Sequence, residues 1–279
     1  MCNFFSAIVL KNGEIVYDLN SSSHEDLIEK AGVKDETADP AELSFARIEI
    51  LPDNNDVFQK KWCLKIDQSI TPDWFSDEYK KKCMDIFFKE VYPACVFIEK
   101  KDLRFKNRKN LFLKDSSADL HDSSSAVLTG KSSADLFGSS SADLFGSSFA
   151  DLYGSSYAIL SDSSYAILSG SSSAKLFGSS SAKLFDSSSA VLHDSSSADL
   201  YGSSSADLHG SSSADLHGSS SAKLFDSSYA VLSDSSSAVN FSEKAKFITN
   251  NSSIVIDRSR KDSIIQTSNK SIKLKFKEV

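Results

Sequence analysis

The chain has 279 residues, 40% of them hydrophobic and 25% charged, with a formal net charge of −7 from 38 Asp and Glu against 31 Lys and Arg. Read as averages, these values describe a soluble protein with room for one large domain or two smaller ones. No stretch approaches the roughly 20 consecutive apolar residues of a membrane helix, and Met1-Cys2-Asn3-Phe4-Phe5-Ser6 has no basic region before its short apolar run, so a membrane protein or a secreted precursor is not expected.

Residues 1–99 hold all four Pro, both Trp, both Met and all four Cys, and they read as a conventional globular module. Cys2, Cys63, Cys83 and Cys95 form no C-x-x-C pair, which argues for free thiols in a reducing compartment and against a disulfide framework or a zinc site. Ala7–Leu10 and Ile15–Asp18 flank Lys11-Asn12-Gly13, a hairpin signal. Ser22 and Ser23 precede His24-Glu25-Asp26-Leu27-Ile28, a capped helix start that ends at Gly32. Strands follow at Phe45–Leu51 and Lys61–Ile66, then a helix over about Asp77–Val91, so the module is expected to be α+β of ββαββα type. No catalytic constellation emerges. His24 is the module's only His and is expected at the surface, while Cys83 and Cys95 sit in core-like surroundings without a second His.

Residues 100–114 form a basic connector or cap (Lys100, Lys101, Arg104, Lys106, Arg108, Lys109), and the repeat begins at residue 115. From Ala118 to Ala238 an Ala recurs every eight residues, and Leu follows two residues later until Asn240 replaces it. Residues 115–242 thus read as 16 octads of the form S-S-S-A-x-L-x-(G/D). Period eight drifts around an α-helix, and Ser-rich octads with a Gly or Asp each are poor helix formers. In an extended segment the second Ser, the Ala and the Leu share one face. The residue between Ala and Leu is often Asp or Lys, as at Asp135 and Lys175, so the Ser, Ala and Leu face is the buried one. Gly or Asp makes the corner.

A single octad cannot bury its own Leu, and stacking of octads is required. The fold expected is mainly β: an octapeptide-repeat β-solenoid after a small α+β domain. Two octads per coil are favoured over three because a core of Ala, Leu and Ser is thin, which gives about eight coils and roughly 38 Å of stack. The inward Ser hydroxyls are expected to bond one another or the corner backbone. Residues 243–279 read as basic degenerate coils or a cap, with Ile248, Ile256, Ile264 and Ile272 in the Leu phase; upstream, Asn110 and Phe112 fill the Ala and Leu slots.

The Ala-Asp-Leu units, as at Ala134-Asp135-Leu136 and Ala198-Asp199-Leu200, resemble those of pentapeptide-repeat proteins, although the spacing here is eight and the square coil of that family does not carry over. The chain is more similar to the octapeptide-repeat proteins of phage and prophage genomes, over about residues 1–242. That resemblance implies a β-solenoid behind a small N-terminal module and a bacterial cytoplasmic setting, and it implies no particular chemistry.

Function is read from the outward positions. Aromatics replace the third Ser at Phe149, Tyr157 and Tyr165, beside Ile159 and Ile167, and these five residues are the candidate binding stripe; Tyr229 repeats the substitution once. Ladders that merely stiffen the stack are the competing reading. His121, His193, His209 and His217 share one repeat position, and drift at a permissive aromatic site accounts for them better than a metal shared by His209 and His217. No metal or cofactor is expected. Residues 115–242 carry 14 Asp and 4 Lys, whereas residues 243–279 carry 9 bases and 4 acids; Lys-rich ends suit the blunting of open sheet edges. The leading expectation is a non-enzymatic binding or scaffold protein that presents a rigid surface to a host protein or to itself. Alternatives are a spacer or filament former and an acidic DNA mimic, with an enzyme in residues 1–99 as a third class. Without a basic stripe interleaved with aromatics, nucleic-acid binding is not expected.

Overall fold

The turn at Lys11-Asn12-Gly13 closes a hairpin between β1 (Phe5–Leu10) and β2 (Ile15–Tyr17), as the sequence predicts. The computed structural model of the chain describes residues 5–34, 39–259, 263–267 and 271–274. It comprises two units, residues 1–98 with 107–112, and residues 99–106 with 113–279. Cys2, Arg260, Lys261, Lys270, Lys275 and Lys277 lie outside the described residues.

In the first unit, α1 (His24–Ala31) starts at Ser23, whose Oγ accepts the Asp26 N–H at 3.2 Å, and stops at Gly32 in the left-handed region at φ 65°. Next come β3 (Phe45–Pro52), β4 (Trp62–Ile66) and α2 (Asp77–Ile86). The antiparallel sheet has the order β2-β1-β3-β4. Alternation along β1 and β3 serves both of its faces. Ala7, Val9, Ile48 and Ile50 join Phe75, Cys83 and Phe87 on one side, while Ile8 and Phe45 meet Leu27 of α1 on the other. The ββαββα order is as expected. The second helix runs further than expected: a π-helical turn at Phe87–Val91 leads without a break into α3 (Tyr92–Cys95), which carries Pro93.

His24 differs from expectation. It is 6% exposed, with Nδ1 3.2 Å from Asp67 Oδ2 and Nε2 3.1 Å from the Ile48 carbonyl oxygen. Its place three residues before Leu27 puts it on the buried face of α1, a signal that residue type alone hides.

In the second unit, consecutive octads lie on opposite sheets and each pairs in parallel with the octad 16 residues away, so two octads make one coil. Sheet 1 has ten strands, from Leu103–Lys106 through Ser117–His121, Ser133–Leu136 and their successors to Lys246–Thr249. Nine rungs at about 4.8 Å give a stack of about 43 Å. Sheet 2 takes the alternate octads, from Ser125–Thr129 and Ser141–Leu144 to Ile254–Asp257.

Burial within each octad follows the inferred pattern. Ser124, Ala126 and Leu128 are 0%, 5% and 0% exposed, and Ser125, Val127 and Thr129 point out. Corners are left-handed at Gly (Gly130, φ 68°) and at Asp (Asp162, φ 60°). Ser hydroxyls bond backbone carbonyls: Ser148 Oγ donates to the Phe145 carbonyl and Ser164 Oγ to the Ser161 carbonyl at the corners, both at 2.8 Å, and Ser132 Oγ also reaches the Leu113 carbonyl at 3.1 Å. Ser140, Ser156, Ser204, Ser212, Ser220 and Ser228 hydroxyls have no partner, so this layer is only partly satisfied.

Corner Asp residues have a second role. Asp162 accepts the N–H of Gly146 one coil below at 2.9 Å, and Asp186, Asp194, Asp226 and Asp234 do the same for Gly170, Gly178, Gly210 and Gly218. No octad corner places Asp over Asp at a spacing of 16, although Asp186 and Asp194, eight apart, sit on opposite edges.

The flanks depart from the extended octad phase. Leu103 and Phe105 pair with Ala118 and Leu120, an offset of 15, while Leu111 and Leu113 are fully buried and Asn110 and Phe112 are not. Downstream, Thr249 and not Ile248 lies opposite Leu232, an offset of 17. That one-residue insertion turns Ile248 outward, 49% exposed, and sets Ile256 opposite Val239 on an outward column. Ile264 and Ile272 belong to the antiparallel strands Ser263–Thr267 and Ser271–Leu274, which follow Ile254–Asp257 in place of further coils.

Candidate functional site

Two octads per coil decide which outward residues can act together. Neighbours in a column are 16 residues apart, and residues eight apart are on opposite faces of the solenoid. The five residues of the expected stripe therefore do not form one stripe. Phe149, Tyr165 and Ile167 lie on sheet 1, where Phe149 pairs with Tyr165 and Ile167 with Asp151. Tyr157 and Ile159 lie on sheet 2, opposite Ser141 and Asp143 on one side and Ser173 and Lys175 on the other.

The two groups differ in kind. On sheet 1 the Phe149 and Tyr165 rings stack at 5.7 Å, and Phe137 stacks on Tyr153 at 5.1 Å and on His121 at 4.9 Å. Rings that cover each other in this way stiffen the sheet and leave mainly edges to solvent. Between these ladders runs a carboxylate column. Arg104 Nε lies 3.2 Å from Asp119, and Asp135 and Asp151 follow it one rung apart. Burial, reinforced by the neighbouring carboxylate, raises the pKa of Asp135 and of Asp151, and Asp151 Oδ1 is buried without a hydrogen-bond partner.

On sheet 2, Tyr157 is flanked in its own column by Ser residues and no ring covers it. It stands at the end of a groove of about 380 Å³ lined by Ser173, Ser189 and Ser205 along the floor, with Lys175, Val191 and Lys223 beside them. Lys223 Nζ is 3.2 Å from Asp207 Oδ2. Three hydroxyls one rung apart, an apolar start at Tyr157 with Ile159 beside Lys175, and a cation near each end make a surface that can bind an extended, mixed-polarity ligand. Phe145, 40% exposed, adds an apolar group on the same sheet one coil before Tyr157.

The histidines divide in the same way. His209 and His217 are on opposite sheets, so they cannot share a metal. His193 and His209 stack at 5.2 Å within the ladder Phe177-His193-His209-Phe225-Phe241, and His217 stacks on Tyr201 at 5.0 Å. Among the described residues no three His, Cys, Asp or Glu side chains gather in a way that could hold a metal ion.

In the first unit, burial pushes the Cys83 thiol up to about 11 and raises that of Cys95, which keeps both as thiols and fits their place in the core. The pocket beside Cys95, lined also by Trp62, Phe87 and Tyr92 among others, has about 20 Å³, space for a single water.

Comparison with protein-family models, with curated proteins and with solved structures finds no match to this chain. Among the described residues no helix is long and apolar enough to cross a membrane.

Proposed function

We propose that the protein is a non-enzymatic binding scaffold of the octapeptide-repeat kind found in phage and prophage genomes, acting in the bacterial cytoplasm, in which the solenoid presents sheet 2 to a host protein. The observation that carries this reading is the groove that begins at Tyr157, with Ile159 on the same strand beside the lining residue Lys175. Its aromatic ring is uncovered where the comparable rings of sheet 1 stack on each other, and hydroxyls and lysines continue from it along the stack. Interfaces of this kind rest on a few apolar anchors with a polar surround. Tyr157 and Ile159 are the anchors; Phe149, Tyr165 and Ile167 support the sheet 1 ladder.

The test is affinity capture from bacterial lysate with the full chain and two double variants. Tyr157→Ser with Ile159→Ser should lose a partner that Phe149→Ser with Tyr165→Ser retains. Retention of every partner by the first variant, or equal loss by both, would refute the assignment of the face.

A further inference from the structure

The two sheets of the solenoid do not end together. Among the described residues sheet 1 stops at Lys246–Thr249, whereas sheet 2 continues past Ile254–Asp257 into the antiparallel strands Ser263–Thr267 and Ser271–Leu274. Among the described residues, Lys246–Thr249 has one strand partner, Tyr229–Leu232, and one bare edge. Such an edge offers a row of N–H and C=O groups to any extended chain.

The interior is uncovered at the same place. From Ala118 to Ala238 the Ala-slot residues are at most 5% exposed, and the Leu residues beside them are 0% exposed. Phe247 and Thr249 fill those slots in the last strand and are only half-buried. Ile248, turned outward by the inserted residue, adds apolar surface beside the edge.

Charge selects the occupant. Among the described residues that follow the repeat, the basic Lys244, Lys246, Arg258 and Lys273 outnumber the acidic Glu243 and Asp257, whereas the repeat region carries 14 Asp and 4 Lys. At the other end of sheet 1 the basic residues are held by the solenoid's own carboxylates, Arg104 by Asp119 at 3.2 Å and Lys106 by Asp122 at 3.4 Å. Beside the bare edge Lys244 and Lys246 are exposed, and among the described residues no ion pair holds either. A second copy offers, at the ends of its sheet 1, either the same positive strand or Leu103–Lys106, which carries the basic Arg104 and Lys106, so neither end complements Lys244 and Lys246.

We propose that Lys246–Thr249 is a strand-addition site for an extended acidic segment of a partner protein. Backbone pairing supplies the affinity, apolar residues of the incoming strand close over Phe247 and Thr249, and its carboxylates lie beside Lys244 and Lys246. The same lysines that keep copies of the chain from joining edge to edge would then admit the partner.

The experiment uses the full chain and fluorescence anisotropy at low salt, with a labelled octapeptide of alternating Val and Glu as the probe. A Val and Lys octapeptide and an N-methylated Val and Glu octapeptide serve as controls. Lys244→Glu with Lys246→Glu should weaken the Val and Glu peptide about ten-fold, the effect of two exposed ion pairs, and should leave thermal unfolding unchanged. N-methylation should weaken it at least as much, and hydrogen exchange at the Phe247 and Thr249 amides, which face away from Tyr229–Leu232, should slow when the unmodified peptide is added. Equal binding of the Glu and Lys peptides, or of the methylated and unmethylated ones, would overturn the proposal. So would protection of the Phe247 and Thr249 amides, whose N–H groups face the open side, in the peptide-free chain: if independent of concentration, it means that the chain itself covers the edge, and if dependent on concentration, that a second copy does.

Discussion

Removing a whole coil should be tolerated or not according to which coil is taken, and the corner residues decide it. Deletion of residues 131–146 leaves Asp162 above Gly130 and Gly154 above Asp122, so every corner keeps an arrangement already found in the chain. Deletion of residues 195–210 removes Gly210 and brings Asp226 directly over Asp194. The outward ladders survive that second deletion, because Phe225 then follows His193, His217 follows Phe185 and Asp215 follows Lys183. Each deletion removes two Leu, two Ala and two inward Ser, so the lost burial is nearly common to both. Apart from the exposed Lys223–Asp207 ion pair, which only the second deletion removes and which is worth about 0.2–1 kcal/mol, the difference is one carboxylate pair about 4.8 Å apart at an exposed corner, worth roughly 1–3 kcal/mol for effective dielectric constants of about 80 to 25. Urea unfolding at low salt should therefore rank the 131–146 deletion above the 195–210 deletion by about that amount. Added salt should narrow the gap, and Asp226→Gly in the shorter chain should recover most of it. Equal stabilities at low salt would refute the corner-charge argument. Collapse of both chains would refute the nearest-neighbour picture of the stack.

Other substitutions probe other parts of the argument. Gly210→Ala should cost about 1–2 kcal/mol in urea unfolding, because the residue sits at φ 68° and a Cβ would meet the Asp194 backbone N and O at 3.0 Å; an unchanged midpoint would contradict this. Asp135→Asn should stabilise the chain at pH 7 by roughly 0.2–1 kcal/mol, since Asp119 and Asp151 flank it as like charges. The folded-state pKa of Asp135 is raised, so its favourable contribution is complete below the ordinary carboxylate pKa of about 3.9 and is lost as pH rises through the folded value. The advantage of the Asn variant should accordingly vanish on acidification, and an advantage that persists at about pH 3 would be inconsistent with that cause. His24→Ala leaves the Ile48 carbonyl without its side-chain partner and should lower the stability of the first unit by about 1–3 kcal/mol. Trp62 and Trp74, the chain's only tryptophans, report that transition by fluorescence, which should stay put if His24 is dispensable.

The octad and the coil are encoded at different levels of the sequence, and this explains what could be read from it. Ser, Ala and Leu repeat identically every eight residues, and that repetition suffices for the strands, the inward face and the left-handed corners at Gly130 and Asp162. The thinness of that core favours two octads per coil, as the structure has, but the repeated residues are the same whether octad n stacks on n+2 or n+3. The information sits in the variable positions at a spacing of 16: Phe177, His193, His209, Phe225 and Phe241 form one ring ladder, and corner Asp residues at that spacing are always separated by Gly. Reading Phe149, Tyr157 and Tyr165 along the chain joined two opposite faces, because neighbours in sequence are not neighbours in a column. Ile248 and Ile256 were misplaced for the complementary reason. A single inserted residue, invisible to a period-eight count of Ile and Leu, exchanges the two faces of a strand. A core this uniform specifies its own register weakly. Register along the stack must then be fixed by the ring ladders, by Asp-over-Gly corners and by the irregular strands at each end, so the residues that vary among octads carry the structural information that the repeated ones lack.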